Sequence, residues 1–433
     1  MLRKYILKRI DYIILFSAFL PYAFVNAGVR IEHLVVYSMF LILFFRHNFF
    51  FFRRSSFSGI LLIFSLLIYL ITTISFANGL DPDAMFLSNF ENYIETLILF
   101  LIFNSLLIKR EYFTIERMIK INTFFHLLLF VNTGLVLIEM FTPYADYFLE
   151  LYVKNDAEGY RTATNSMGRY MGVFNLPMES GMAYSMGLLT WLYNFTQKKN
   201  KKIILEFLLF LAILIGGIAS VSKVFLMVGA ILFVAVFFMI GSIRNKLIFL
   251  FVGIFSLSTL VPLLTGGWRG FRILESQFIK ITTNFSIDNI TAGRLGSGSG
   301  IYSWVLNQDI LALIFGNGFT QAGLLHLDSE YMQILYQGGV ISLCLYLAIL
   351  IKLFIRCVSI DSKFYKERIL MFSILLLGAI TAIGGPMIFM NRVRIFFFIQ
   401  LFFIYKLTHM VFVRIKTKET AINEPSDGSV ITV

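Results

Sequence analysis

Apolar segments of membrane-spanning length recur from one end of this chain to the other. Runs rich in Leu, Ile and Phe, each about 17 to 25 residues long, leave no interval from which a soluble domain of normal size can be cut. A bilayer interior offers no partner to backbone polar groups, so only helices and closed β-barrels cross it. These runs are continuous rather than alternating, which selects helices. The pattern predicts about twelve spans, over residues 10–27, 31–46, 58–77, 92–108, 118–141, 176–196, 203–218, 222–241, 246–264, 331–352, 368–385 and 393–413. With 58% of residues hydrophobic and 14% charged, an ordinary soluble domain is excluded. The expected fold class is all-α: one polytopic membrane domain over residues 1–413, then a polar tail over 414–433 expected to be disordered. No small-residue cleavage site follows the first apolar run, so that run reads as an uncleaved anchor.

The formal charge of +12 raises the question of nucleic acid, and its distribution answers it. Lys and Arg crowd alternate loops, in "MLRKYILKR", "RHNFFFFRR", "QKKNKK", "SIRNK" and "KLFIRCVSIDSKFYKER", while an intervening loop such as "NGLDPDAMFLSNFEN" is acidic. That alternation follows the positive-inside rule and puts both termini in the cytoplasm. Basic inner loops facing anionic headgroups account for the charge without a nucleic-acid partner. The two cysteines, Cys344 and Cys357, form neither a disulfide framework nor a metal knuckle.

Two outer loops are long, about 142–175 and 265–330, and long connections in compact proteins tend to carry function. The first contains "EGYRTATNSMGRYMGVFNLPMESG", with Arg161 and Arg169 ahead of the sixth span. Two readings of these arginines stand: pairing with nearby acids or lipid headgroups, and a phosphate clamp. The second holds "GGWRGFRILESQFIK", with Arg269 and Arg272, and "GRLGSGSGIYSWVL", with Arg294 and Trp304, which reads as a basic turn leading into a short amphipathic helix. "LIFGNGF" then reads as the turn that stops it. Without a GK[ST] ending, "GRLGSGSG" is not a Walker loop. "SVSK" places Lys223 at the outer end of a span, either snorkelling toward headgroups or facing a cavity. Finally "HLDSEYMQILYQGG" sets His326, Asp328 and Glu330 at the mouth of the tenth span. Asp328 suits a helix cap as well as a base, and the two roles are compatible.

In order and in common outer location, "RYMGVFNLPMESG", "SVSK", "GRLGSGSGIYSWVL" with "IFGNGF", and "HLDSEYMQILYQGGVISLCLYL" resemble the O-antigen polymerase (Wzy) and ligase superfamily of bacterial envelope proteins. The resemblance covers roughly residues 160–350 and is closer to the polymerase branch, since Asp328 and Ser329 stand where ligases usually carry His-Asn. Lys223 departs from the arginine often found there, and lysine lacks the bidentate fork.

The resemblance implies a GT-C-type glycosyltransferase with a periplasmic site in the bacterial inner membrane. It joins undecaprenyl-pyrophosphate-linked repeat units: an acceptor hydroxyl attacks the donor anomeric carbon and the lipid pyrophosphate leaves. A separate chain-length regulator is the implied protein partner. Arg161, Arg169, Arg294 and Lys223, then Arg269 and Arg272, are the expected cations for the leaving group. The expected catalytic carboxylates and base come from Asp328, His326, Glu179 and Glu330, with general-base help typically worth about 10² to 10⁴ in rate. His326 reads equally as the base or as a group that orients the acceptor. Tyr331 and Trp304 are the sugar-contacting candidates, interfacial anchoring being the other reading of Trp304. With converging cations no metal is needed, so no cofactor is expected. A ligase that transfers glycan to lipid A core and a lipid-linked oligosaccharide flippase are the alternatives. The flippase would carry charges buried along its spans and repeat-like halves.

Overall fold

In a computed structural model the described residues are mostly helical. The structure describes residues 9–24, 29–47, 57–79, 84–106, 113–142, 151–152, 160–198, 202–240, 305, 307–319, 329–385, 387 and 390–423, with isolated positions between 272 and 283. The expected ninth span, over 246–264, lies outside them.

The described helices are α1 (Ile10–Ser17), α2 (Ile31–His47), α3 (Ser58–Ala77), α4 (Ala84–Leu106), α5 (Ile115–Phe141), α6 (Tyr160–Ser166), α7 (Pro177–Gln197), α8 (Ile203–Ala219), α9 (Ala230–Ile240), α10 (Ile310–Phe315), α11 (Glu330–Val358), α12 (Tyr365–Gly384) and α13 (Asn391–Asn423). A π-helical turn, Val224–Gly229, leads into α9. Strands β1 (Tyr22–Phe24) and β2 (Val29–Arg30) pair antiparallel between α1 and α2.

Four stretches among the described residues are long and apolar enough to cross a membrane: Ser58–Ala77, Ile115–Phe141, Glu330–Val358 and Ser362–Gly384. Ile31–Phe45, Ile203–Ala219 and Val224–Ile240 are shorter apolar helices. This is the architecture of an all-α membrane protein.

The first expected span is interrupted. Its helix stops at Ser17 and the chain turns into the β1–β2 hairpin. Pro21 supplies the reason, because its ring removes an N–H and turns the preceding residue away from helical angles. An eight-residue helix rises only about 12 Å at 1.5 Å per residue, short of the roughly 30 Å hydrocarbon core. At the other end α13 continues past residue 413 to Asn423, into the tail expected to be disordered. "RIKTKETAIN" is free of Gly and Pro and rich in helix formers, and Pro425 follows.

Helix α7 is the centre of the bundle. It touches α5, α8, the π turn, α9, α12 and α13, and every residue from Glu179 to Asn194 is buried. Small side chains permit the close approach: Gly181 faces Ser222, Gly229 faces Ser185, and Gly216 faces Tyr184. Arg117 ties α5 to α1 through a two-pronged pair with Asp11, at 2.9 and 2.7 Å.

Helix α11 is broken near its start, where Gly339 takes φ 64° and ψ −169°. The break frees carbonyls of the preceding turn, and the α10 turn takes them up. The amide of Asn317 donates to Tyr336 O at 2.9 Å and that of Gly318 to Gln337 O at 2.8 Å. The "IFGNGF" turn therefore does more than stop α10. It completes the hydrogen bonding of the helix that "YQGG" interrupts.

Candidate functional site

Ionisable side chains from four helices converge at one end of the bundle. Arg30, at the end of β2, donates from Nη1 to Glu32 at 3.1 Å and from Nε to the Tyr22 hydroxyl at 3.2 Å. Glu32 also faces the guanidinium of Arg392, 3.8 Å away across the bundle. Arg394, two residues along α13, pairs with Glu95 and donates to the Asn92 carbonyl and side chain at 3.1 and 3.2 Å. His33 links the second pair to α4, with Nδ1 3.1 Å from Glu91 and Nε2 3.4 Å from Glu95. Glu179, at the start of α7, accepts the backbone amides of Asn175 at 2.9 Å and Arg392 at 3.3 Å.

Glu32, Glu95, Glu179, Arg392 and Arg394 are all buried. Burying a charge is expensive unless it is paired, so opposite charges must arrive together from separate helices. Burial alone would lower the Arg30 pKa, but the charge of Glu32, with Tyr22 and Glu179, outweighs it and raises the value above that of free arginine. Arg392 is the least fully paired of these groups. Its guanidinium lies 5.1 Å over the Tyr152 ring, and Nε, Nη1 and Nη2 have no hydrogen-bond partner among the described residues. A planar fork of unused donors in a water-poor site can take the oxygens of a phosphate or of a sugar.

The first outer loop is strapped beside this cluster. Glu139, buried at the end of α5, accepts the amides of Met171 at 3.2 Å and Gly172 at 3.0 Å and the Asn165 side chain at 3.2 Å. Asn132, two turns earlier on α5, accepts the Val173 amide at 2.8 Å and donates to the Tyr184 hydroxyl at 2.9 Å. Gly172 adopts φ +61°, and a Cβ there would run into the Asn132 side chain. The amide of Tyr170 donates to Ala219 O at 3.0 Å, which docks the loop on the end of α8 just before "SVSK". Val221, inside that tight turn, holds φ +49°. Such values are uncommon for a β-branched residue and mark a constrained turn.

Of the residues singled out from sequence, Glu179 belongs to this cluster, Arg169 lies on the strapped loop and Lys223 just beyond the end of α8 on which that loop docks. Arg169 is half-buried and its amide donates to Thr164 O at 3.0 Å. Lys223 is half-buried at the entry to the π turn, beside Ser222, which touches Gly181. Glu330 is fully buried at the start of α11, within electrostatic reach of Tyr93 and Tyr346. Tyr331 donates its hydroxyl to Ala379 O at 3.0 Å and Ser329 donates to Ala382 O at 3.2 Å, so both fasten α11 to α12. Arg272 is exposed. His326, Asp328, Arg269, Arg294 and Trp304 lie outside the described residues, as does the side chain of Arg161.

Sequence reasoning passed over Arg30, Glu32, His33, Glu91, Glu95, Arg392 and Arg394. A signal for them existed. "VRIEH" and "NRVR" set charges in or against the first turn of apolar spans, where an ionisable side chain is tolerated only toward a partner or a polar cavity. No protein-family model and no curated protein matches this chain.

Proposed function

We propose that this chain is a surface-polysaccharide polymerase: a GT-C-type glycosyltransferase of about twelve spans that joins undecaprenyl-pyrophosphate-linked repeat units at the outer face of a bacterial inner membrane. The observation that carries the reading is the meeting of motifs far apart in sequence. "RYMGVFNLPMESG" is hydrogen-bonded to the helix end that precedes "SVSK", through Tyr170 and Ala219 at 3.0 Å. Gly181 of the same stretch packs against Ser222. Polymerisation at a lipid pyrophosphate needs fixed cations where the leaving group gathers negative charge, and a base for the acceptor hydroxyl.

In this reading Arg169 and Lys223 meet the leaving pyrophosphate, with Arg161 and Arg294 completing the clamp and Arg269 and Arg272 behind them. Asp328, His326, Glu179 and Glu330 supply the carboxylates and the base. Tyr331 and Trp304 contact sugar. Arg392, whose backbone amide donates to Glu179 at 3.3 Å, adds its buried guanidinium to the cationic surface. A chain-length regulator would be the protein partner.

The test is the surface-glycan ladder of cells lacking the gene, complemented with wild type, Arg169→Ala, Arg294→Ala or Asp328→Ala at matched membrane levels. A deletion that leaves lipid core bearing a single repeat unit, restored to long chains by wild type alone, is the expected result. Bare core with long polyprenyl-linked chains would make the protein a ligase, and bare core with only single lipid-linked units would make it a flippase.

A further inference from the structure

At the end of the bundle opposite the charge cluster, an apolar cavity runs into a pair of cations. The cavity, a space of about 610 Å³ with its open mouth included, lies among α3, α4, α11, α12 and α13. Its walls are apolar, with Phe57, Phe64, Leu353, Leu375 and Phe402 among them, and of its lining residues only Tyr346 carries a polar side-chain atom. Three wall residues lead directly to charge. Arg356 follows Leu353 by three positions and Lys406 follows Phe402 by four, spacings that put each pair on one helix face. The Lys406 Nζ stands 5.6 Å from the Phe57 ring and 5.4 Å from the Phe402 ring.

The two cations also share a third ring. Arg356 lies 5.4 Å from the centroid of Tyr405 and Lys406 lies 5.6 Å from it. Arg356 spends Nη2 on a long bond to Thr408, at 3.4 Å, and its Nε has no hydrogen-bond partner among the described residues. Like charges gathered on one aromatic ring repel, and an anion between them would offset that repulsion. Position gives the scale. Lys406 lies fourteen residues beyond Arg392 on α13, about 21 Å along the axis at 1.5 Å per residue. Phe57 immediately precedes α3 and Arg356 lies in the last turn of α11, and Lys406, buried midway along α13, stands against Phe57 and shares the Tyr405 ring with Arg356, so both cations sit at the level of those two helix ends, the headgroup level of a membrane protein.

We infer that this cavity and the Arg356–Lys406 pair form a binding site for an anionic phospholipid, with an acyl chain in the cavity and the phosphate between the two cations. The site is separate from the proposed catalytic end and does not depend on that reading. An apolar slot selects hydrocarbon, and paired cations next to its wall residues select a negative head. A neutral lipid would satisfy the first condition and fail the second.

The experiment is native mass spectrometry of the purified full chain titrated with phosphatidylglycerol or with phosphatidylcholine of identical acyl chains. Wild type is expected to hold phosphatidylglycerol about tenfold or more tighter, since each basic side chain near a membrane surface contributes about 1 kcal/mol toward an anionic lipid. Arg356→Gln with Lys406→Gln should bring the two lipids to parity, and Lys406→Arg should keep the preference. Leu375→Trp, which fills the cavity, should weaken both lipids. Glycerol phosphate, a headgroup without chains, should not compete at millimolar concentration. Equal binding of the two lipids to wild type overturns the inference, whether or not the variants fold. So does a preference that survives the double substitution, binding untouched by Leu375→Trp, or full competition by glycerol phosphate, which would make the site one for a free phosphate.

Discussion

Arg394 and Glu95 form an ion pair buried on both sides, although 299 residues separate them in the chain. The pair fastens the first turn of α13 to α4, and His33 on α2 reaches the same carboxylate at 3.4 Å. Breaking such a pair from one side leaves an uncompensated buried charge, a loss of about 3–5 kcal/mol. Arg394→Met and Glu95→Leu are each expected to lower thermal stability sharply in detergent, and the double variant to recover most of the loss. A double variant as unstable as the sum of the singles would show that the pair is not coupled.

The loop strap makes a second expectation. Gly172 holds φ +61° with the Asn132 side chain where a Cβ would lie, so Gly172→Ala must move both. Left-handed angles in a non-glycine residue carry about 1–3 kcal/mol of strain. Limited proteolysis should cut the variant within residues 160–176 faster than wild type, with the rest of the bundle protected. Glu139→Ala should act the same way, because it strands the amides of Met171 and Gly172.

Gly339 is the third point of leverage. A side chain there would meet the Ile314 carbonyl, and φ 64° disfavours any L-residue. Gly339→Ala is expected to expel the α10 turn, freeing Tyr336 O and Gln337 O, and to cost about 1–3 kcal/mol on backbone grounds by themselves. Hydrogen exchange at the amides of Asn317 and Gly318 reads this directly. Unchanged protection at both would mean that the turn does not depend on the break.

Metal removal addresses the proposed chemistry. If arginines and Lys223 carry the leaving-group charge, chain extension by the purified protein on lipid-linked repeat units continues in EDTA. Activity lost in EDTA and restored by Mg²⁺ would assign that charge to a metal instead.

Much of the helical layout is written in one dimension. The sequence pattern predicts spans over 58–77, 203–218 and 331–352, and helices stand at Ser58–Ala77, Ile203–Ala219 and Glu330–Val358. Length and apolarity act locally there, because each helix satisfies its own backbone. The span expected over 10–27 passes over Pro21, whose effect is local, and the hairpin after it depends on Arg30 finding Tyr22 and Glu32. Glu139 near the end of its span reads in sequence as a stray charge, and its use as acceptor for three loop groups becomes visible only when the loop returns.

The sequence by itself determined that this is a helical membrane protein with alternating basic loops, since both properties are sums over single residues. Only the tertiary structure decided which charges are tolerated in buried positions. Glu32, Glu95 and Arg394 are each unfavourable alone, and their stability arises from partners that helices begun at Ile31, Ala84 and Asn391 bring to one end of the bundle. Desolvation acts on each residue separately, whereas the compensating Coulomb and hydrogen-bond terms exist only between them, and so they appear only when distance does.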